Sequence, residues 1–146
     1  MDAKVLQEDD FSDQVAVVVG TRPGIIKMSP LVKELNRQNI NSILIHAGQH
    51  YSYNLDEKFF EDLRLPVPDY KLEQVKDCEY HGEQTAEMLA GIEEILIEEQ
   101  QKVVLVCGDA NYNLAGALAA RKLNMGVGHV EAGLRSDDWR MAEEHN

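Results

Sequence analysis

The chain has 146 residues, 44% of them apolar, which is length for one domain with a sizeable core and a composition that folds. The 14 Lys+Arg against 26 Asp+Glu give a formal charge of −12, a field that repels DNA, RNA and anionic membranes and obliges any anionic ligand to find a local basic pocket. The two cysteines, Cys78 and Cys107, show no CxxC or His/Cys ligand spacing, which argues against a disulfide framework and against zinc; no apolar run approaches the ~20 residues of a membrane span or the core of a secretion signal, so a soluble cytoplasmic protein is expected.

Residues 1–14 are expected to be a disordered lead-in whose acid run (Glu8, Asp9, Asp10) is simply solvated, with one domain over 15–146. Val15–Val19 is a valine-rich apolar run that suits a strand buried on both faces. Gly20 and Thr21 end it, and Pro23 marks the start of a helix, where its missing N–H costs nothing. That helix should reach Arg37 with Ile26, Leu31, Leu35 and Met28 inward. Pro30 removes a bond to the Ile26 carbonyl, so a kink or break is expected there. Ile43–Ile45 reads as a second strand, Gly48, Gln49 and His50 as a turn, and Tyr51–Leu63 as a helix with Leu55, Phe59, Phe60 and Leu63 inward. Tyr70–Leu72 is a weak third strand, and Lys71–Glu79 a charged loop.

His81–Gln101 carries one apolar stripe at three- and four-residue steps (Thr85, Met88, Leu89, Ile92, Ile95, Leu96), with Glu83, Glu87, Glu94, Glu98 and Glu99 on a solvated face. Val103–Cys107 is another buried strand, with Cys107 as a small hydrophobe. Asn111–Leu123 is an alanine-rich helix. Gly126–Arg135, GVGHVEAGLR, reads as a short buried strand (Val127, His129, Val130) delivering Glu131 to a turn at Gly133. Ala142–Asn146 begins a further helix.

Strand and helix alternate throughout, which predicts an α/β fold: a doubly wound, Rossmann-like parallel sheet with helices on both faces. In the usual strand order 3-2-1-4-5, ligands bind beyond the C-terminal ends near the reversal of strand order, and neighbouring strands lie about 4.8 Å apart. The turns at 20–27, 108–111 and 131–135 should therefore share a crevice. They bring Arg22, Lys27, Asp109, His129, Glu131 and Arg135, a set that suits a phosphorylated substrate undergoing proton transfer. GTRPG is not GxGxxG and lacks the P-loop Lys-Ser/Thr, so nicotinamide and ATP fingerprints are absent. A phospho-accepting receiver domain would need an acidic cluster after the first strand, where this chain has Gly20–Arg22.

In order along the chain, GTRPGIIKMSPLVKEL from Gly20, GQH at 48–50, HGEQT at 81–85, GDAN at 108–111, GHVEAGLRS at 128–136 and the closing AEEHN are similar to the non-hydrolysing UDP-N-acetylglucosamine 2-epimerases, archaeal forms especially. The resemblance spans Val15 to Asn146. It implies one half of a two-domain GT-B arrangement, a homodimeric intact enzyme and a reaction that interconverts UDP-GlcNAc and UDP-ManNAc by elimination and re-addition of UDP, with no cofactor and no metal. By motif, Asp109, Glu131 and Glu143 match the catalytic carboxylates, Arg22 and Lys27 the cations near the sugar diphosphate, and His129 and Arg135 positions that either contact substrate or support the turn. Gln49 and His50 match a loop near the cleft. Three residues depart from the pattern: Gly24 stands where the family usually has Glu, Ala110 where it has Thr, and Ala142 where it has Pro. The chain stops before the family's second domain, which implies an N-terminal half that is inactive until a C-terminal domain, on a separate chain for instance, completes it. A non-catalytic remnant or partner-binding half, and the N-terminal half of a UDP-GlcNAc hydrolase, are the alternatives.

Overall fold

A computed structural model describes residues 14–48 and 53–146. The lead-in over 1–13, the turn residues Gln49 and His50 and the side chain of Leu55 lie outside the described residues. Gln14 is described, and its carbonyl accepts from the backbone N–H groups of Lys102 and Val103.

Five strands form one parallel sheet in the order β3-β2-β1-β4-β5, the predicted 3-2-1-4-5. They are β1 (Val15–Val19), β2 (Ser42–His46), β3 (Tyr70–Lys71), β4 (Val103–Cys107) and β5 (Gly126–Val130). Between them run α1 (Arg22–Arg37), α2 (Tyr53–Asp62), α3 (His81–Glu99) and α4 (Asn111–Lys122). The alternation of side chains along a strand divides the interior in two. Ala16 and Val18 of β1, with Val104 and Val106 of β4, face the cluster built by Met88, Ile92 and Leu96 of α3 and Ala115 and Ala119 of α4. Val17 and Val19, with Leu44 and Cys107, face Ile25, Met28 and Val32 of α1 and Phe60 of α2. Helices thus cover both faces, which is why the central strands read as unbroken apolar runs. Among the described residues, no helix is long and apolar enough to cross a membrane.

Several local expectations are corrected. In α1 the buried stripe is Ile25, Met28 and Val32, and Ile26 is exposed; Leu31 and Leu35 are only half-buried flanks of that cluster. Of the kink or break expected at Pro30, the break is absent: the helix is continuous through it. Pro30 and Ile26 both lie on the exposed side, so water can solvate the carbonyl that the proline leaves without a donor. The 71–79 segment is not plain loop: Glu73–Asp77 forms a 3-10 turn that buries Val75 completely. In α3, Gln84 is buried where the stripe was read to start at Thr85. Glu99 leaves the solvated face to accept the Tyr70 hydroxyl, and this hydrogen bond holds the phenol up at about 12. Finally, β5 is only half-buried, and His129 on it is exposed. It is the edge strand, with a neighbour on one side only, so half its surroundings are missing.

Candidate active site

Three chain reversals beyond β1, β4 and β5 build the site. After β1, Thr21 caps α1 in an extended conformation, and its Oγ accepts from the Gly24 N–H. Lys27 then sits in the second turn of α1. After β4, Gly108 turns the chain with φ +83°, a conformation that suits glycine, and Asp109 follows on the exposed rim. After β5, Glu131 itself adopts φ +65°. Of the other non-glycine residues with positive φ, Asn39, Arg64, Gln100 and Asn124 sit just past helix ends, where a left-handed residue is an ordinary terminator, and Asp137 sits in the loop after β5. Glu131 ends a strand instead. Holding it there costs about 1–3 kcal/mol, the kind of local strain that collects at functional positions.

The strain aims the carboxylate. Lys27 Nζ donates to Glu131 Oε2 at 2.6 Å, across 104 residues of sequence. The two side chains are 47% and 31% exposed, and a pair that open is worth only about 0–1 kcal/mol to the fold. Its consequence is geometric: it sets a cation beside a carboxylate. The hydrogen bond to Glu131 raises the Lys27 ammonium above the ordinary lysine value, so it is charged at neutral pH. Beneath the pair lies Cys107, with Sγ 4.0 Å from Glu131 Oε2. Burial, with the Glu131 charge adding to it, pushes the thiol up, so it stays neutral and forms an uncharged floor.

Asn113 fixes the second reversal. It is buried in α4; its Oδ1 accepts from the Cys107 N–H at 3.1 Å, and its Nδ2 donates to the Cys107 carbonyl at 2.5 Å. The amide therefore clamps the last residue of β4, from which Gly108 and Asp109 depart. His129 ties the second reversal to the third: its Nε2–H donates to the Gly108 carbonyl at 2.7 Å. Of the two roles open to this residue, that bond supports the turn, although the ring also borders the cleft.

The segment after Glu131 folds back over the β4 turn. Asn146 Nδ2 donates to the Asp109 carbonyl at 2.6 Å. Within the segment, Glu144 Oε2 accepts from both the backbone N–H and the hydroxyl of Ser136, at 2.9 and 2.6 Å. Those bonds hold the Glu144 carboxyl below its ordinary value. A depressed carboxyl contributes order that is present above its unfolded value, near 4.5, and lost as pH falls through the folded one. Trp139, the one tryptophan, lies in this segment with its ring 5.6 Å from His145. Its fluorescence should therefore report an acid transition below the ordinary glutamate range. Ser136→Ala is expected to move that midpoint upward; an unchanged midpoint would show that Ser136 does not hold Glu144.

The cleft so formed has a volume of about 360 Å³. Lys27, Asp109, His129, Glu131 and Arg135 line it, with Leu114 and Leu134 as an apolar wall and Asn146 at its edge. Five of the sequence-predicted residues thus meet in one place. Arg22 and Glu143 are not on that lining: Arg22 turns toward α2, its guanidinium 5.7 Å from the Phe59 ring, and Glu143 lies half-buried in a 3-10 turn over Ala142–His145, where the sequence begins a further helix. Sequence reasoning missed Asn113 and Asn146. The signal for Asn113 was available, since asparagine is out of place among the alanines of a helix unless its side chain is bonded.

Residues 33–146 match the model of the family described as UDP-N-acetylglucosamine 2-epimerase. Among curated relatives, the UDP-N-acetylglucosamine 2-epimerase of Methanocaldococcus jannaschii is 51% identical over 133 residues, which is 91% of this chain and 36% of that protein. The UDP-2,3-diacetamido-2,3-dideoxy-D-glucuronate 2-epimerase of Pseudomonas aeruginosa is 44% identical over 134 residues, 91% of this chain and 37% of that one. Among solved structures, the M. jannaschii UDP-GlcNAc 2-epimerase in complex with UDP-GlcNAc and UDP superposes with a TM-score of 0.84 at 52% identity, covering 90% of this chain and 36% of that one. The chain spans about a third of the length of the curated relatives it matches.

Proposed function

The chain belongs to the UDP-N-acetylglucosamine 2-epimerase family, and we propose that residues 15–146 supply the N-terminal wall of an active site that interconverts UDP-GlcNAc and UDP-ManNAc. The observation that carries this reading is the Lys27–Glu131 pair sharing one cleft with Asp109. C2 of the sugar bears an amide and has no adjacent carbonyl, so enolisation cannot acidify it; departure of the diphosphate must drive the step. One carboxylate takes the C2 proton, the C2–H electrons form the C1–C2 double bond, and the C1–O electrons leave with UDP. Re-addition of UDP, with a proton delivered to C2 from the opposite face, gives the epimer. Two carboxylates in one cleft, Glu131 and Asp109, suit that inversion, with Glu143 in the closing segment as a third candidate. Lys27 and Arg135 would meet the charge that develops on the diphosphate, Arg22 would join them from the first turn, and His129 would hold the rim. The same reading includes a C-terminal domain that completes the cleft, a homodimer of the whole enzyme and a cytoplasmic nucleotide-sugar pool.

The test is a pair of proteins. The 146-residue chain alone, mixed with UDP-GlcNAc and followed by ¹H NMR, is expected to form no UDP-ManNAc, because the groups that the rest of the family's fold would bring to the cleft to position the substrate are not present in it. Residues 1–146 joined to the remainder of the M. jannaschii relative are expected to form it. A folded chimera that binds UDP-GlcNAc and converts none overturns the proposal. Release of free ManNAc without UDP-ManNAc would assign the hydrolase alternative instead.

A further inference from the structure

The first reversal has a feature that the reaction does not use. Tyr112, the second residue of α4, is 3% exposed and packs its ring onto the turn between β1 and α1. An ideal Cβ built on Gly20 would lie 2.5 Å from Tyr112 Cδ1, 2.8 Å from Cγ and 2.9 Å from Cε1. A Cβ built on Gly24 would lie 2.2 Å from the Tyr112 hydroxyl oxygen, while the nearest ring carbon, Cζ, is at an ordinary 3.4 Å. That hydroxyl is also 3.3 Å from Oγ of Thr21, the residue that caps α1. Lys27 is near enough for its charge to act on the phenol.

We propose that Tyr112 is a positioning residue matched to Gly24: its phenol occupies the space of a side chain at position 24 and braces the Thr21 cap, and this fixes the register of α1 that brings Lys27 to Glu131. This goes beyond the proposed reaction and stands on packing alone. It also gives a physical account of the glycine found where the resembling pattern has glutamate: with tyrosine at 112, no side chain fits. The two contacts are made by different atoms. The ring excludes a side chain at 20, and the hydroxyl excludes one at 24.

That division supplies the test, made on the 146-residue chain by thermal denaturation. Gly24→Ala is expected to lower Tm by about 5–10 °C through overpacking. In the Tyr112→Phe background, which removes only the hydroxyl, at least half of that loss should disappear. Gly20→Ala should lower Tm similarly in both backgrounds, because the ring remains. If Gly24→Ala prevents folding in the parent, folding of Gly24→Ala with Tyr112→Phe counts as the same rescue. Failure of both to fold, an equal loss in the two backgrounds, or no loss in the parent overturns the match. The positioning role has its own readout, the titration of Lys27 followed by ¹³C NMR at Cε. Tyr112→Ala should move it back toward the ordinary lysine value, and Tyr112→Phe, which removes the hydroxyl that braces the Thr21 cap, should move it part of the way. A lower Tm for Tyr112→Ala with an unchanged Lys27 titration would make the ring a filler and overturn the role.

Discussion

Glu131→Gln is expected to lower the conversion of UDP-GlcNAc by the chimera about 10²–10⁴-fold, the usual worth of a positioned proton carrier. The substitution keeps the shape of the side chain and can keep the left-handed backbone, so the turn should survive. It removes only the group that can take or give a proton at C2 and the charge that meets Lys27. The Lys27–Glu131 pair is half exposed, so its loss should change stability by less than about 1 kcal/mol. Activity and stability should therefore separate. NMR rates and a denaturation curve on the same sample check this. A loss under tenfold with Tm unchanged would mean that Glu131 aims Lys27 and does not carry the proton.

Asn113→Leu is expected to cost about 2–5 kcal/mol, and a fall in Tm on the order of 10 °C, because it strands two buried backbone groups at once. The Cys107 N–H and C=O both bond to the Asn113 amide, and the carboxamide is too buried for water to replace it. Leucine has similar volume, so the loss is one of hydrogen bonding and not of packing. Urea denaturation of the 146-residue chain measures it. Because Gly108 and Asp109 leave β4 directly after Cys107, the variant should also loosen the Asp109 turn, seen as faster amide exchange at Gly108–Asn111. An unchanged midpoint would mean that the backbone of Cys107 finds other partners.

Much of the architecture was legible in the chain itself. The valine runs of β1 and β4 can be buried only if both faces are covered, and short apolar strands alternating with helix-length stripes leave few topologies. The usual strand order for such an alternation, 3-2-1-4-5, is the one observed, and with that order comes the crevice that unites Lys27, Asp109, Glu131 and Arg135. The closing motifs carried the family. Where the reading failed, a local rule met a non-local neighbour. Ile25 and Ile26 are indistinguishable by hydropathy, and only the angle at which α1 lies on β1 decides that Ile25 is buried and Ile26 exposed. The helix stays continuous at Pro30, where water can reach the freed Ile26 carbonyl, and exposure is a tertiary property.

The sequence by itself determined the alternation of strands and helices and the identity of the residues at the strand ends, because these follow from chemistry and periodicity that each segment carries alone. Only the tertiary structure decided how those residues are held. The Lys27–Glu131 contact joins residues 104 apart, the Asn113 clamp depends on α4 lying across the end of β4, and the fit of Tyr112 to Gly20 and Gly24 exists only where two reversals touch. Each is a distance between segments. A distance of that kind is set by the packing of the whole core and is written in no single stretch of the chain.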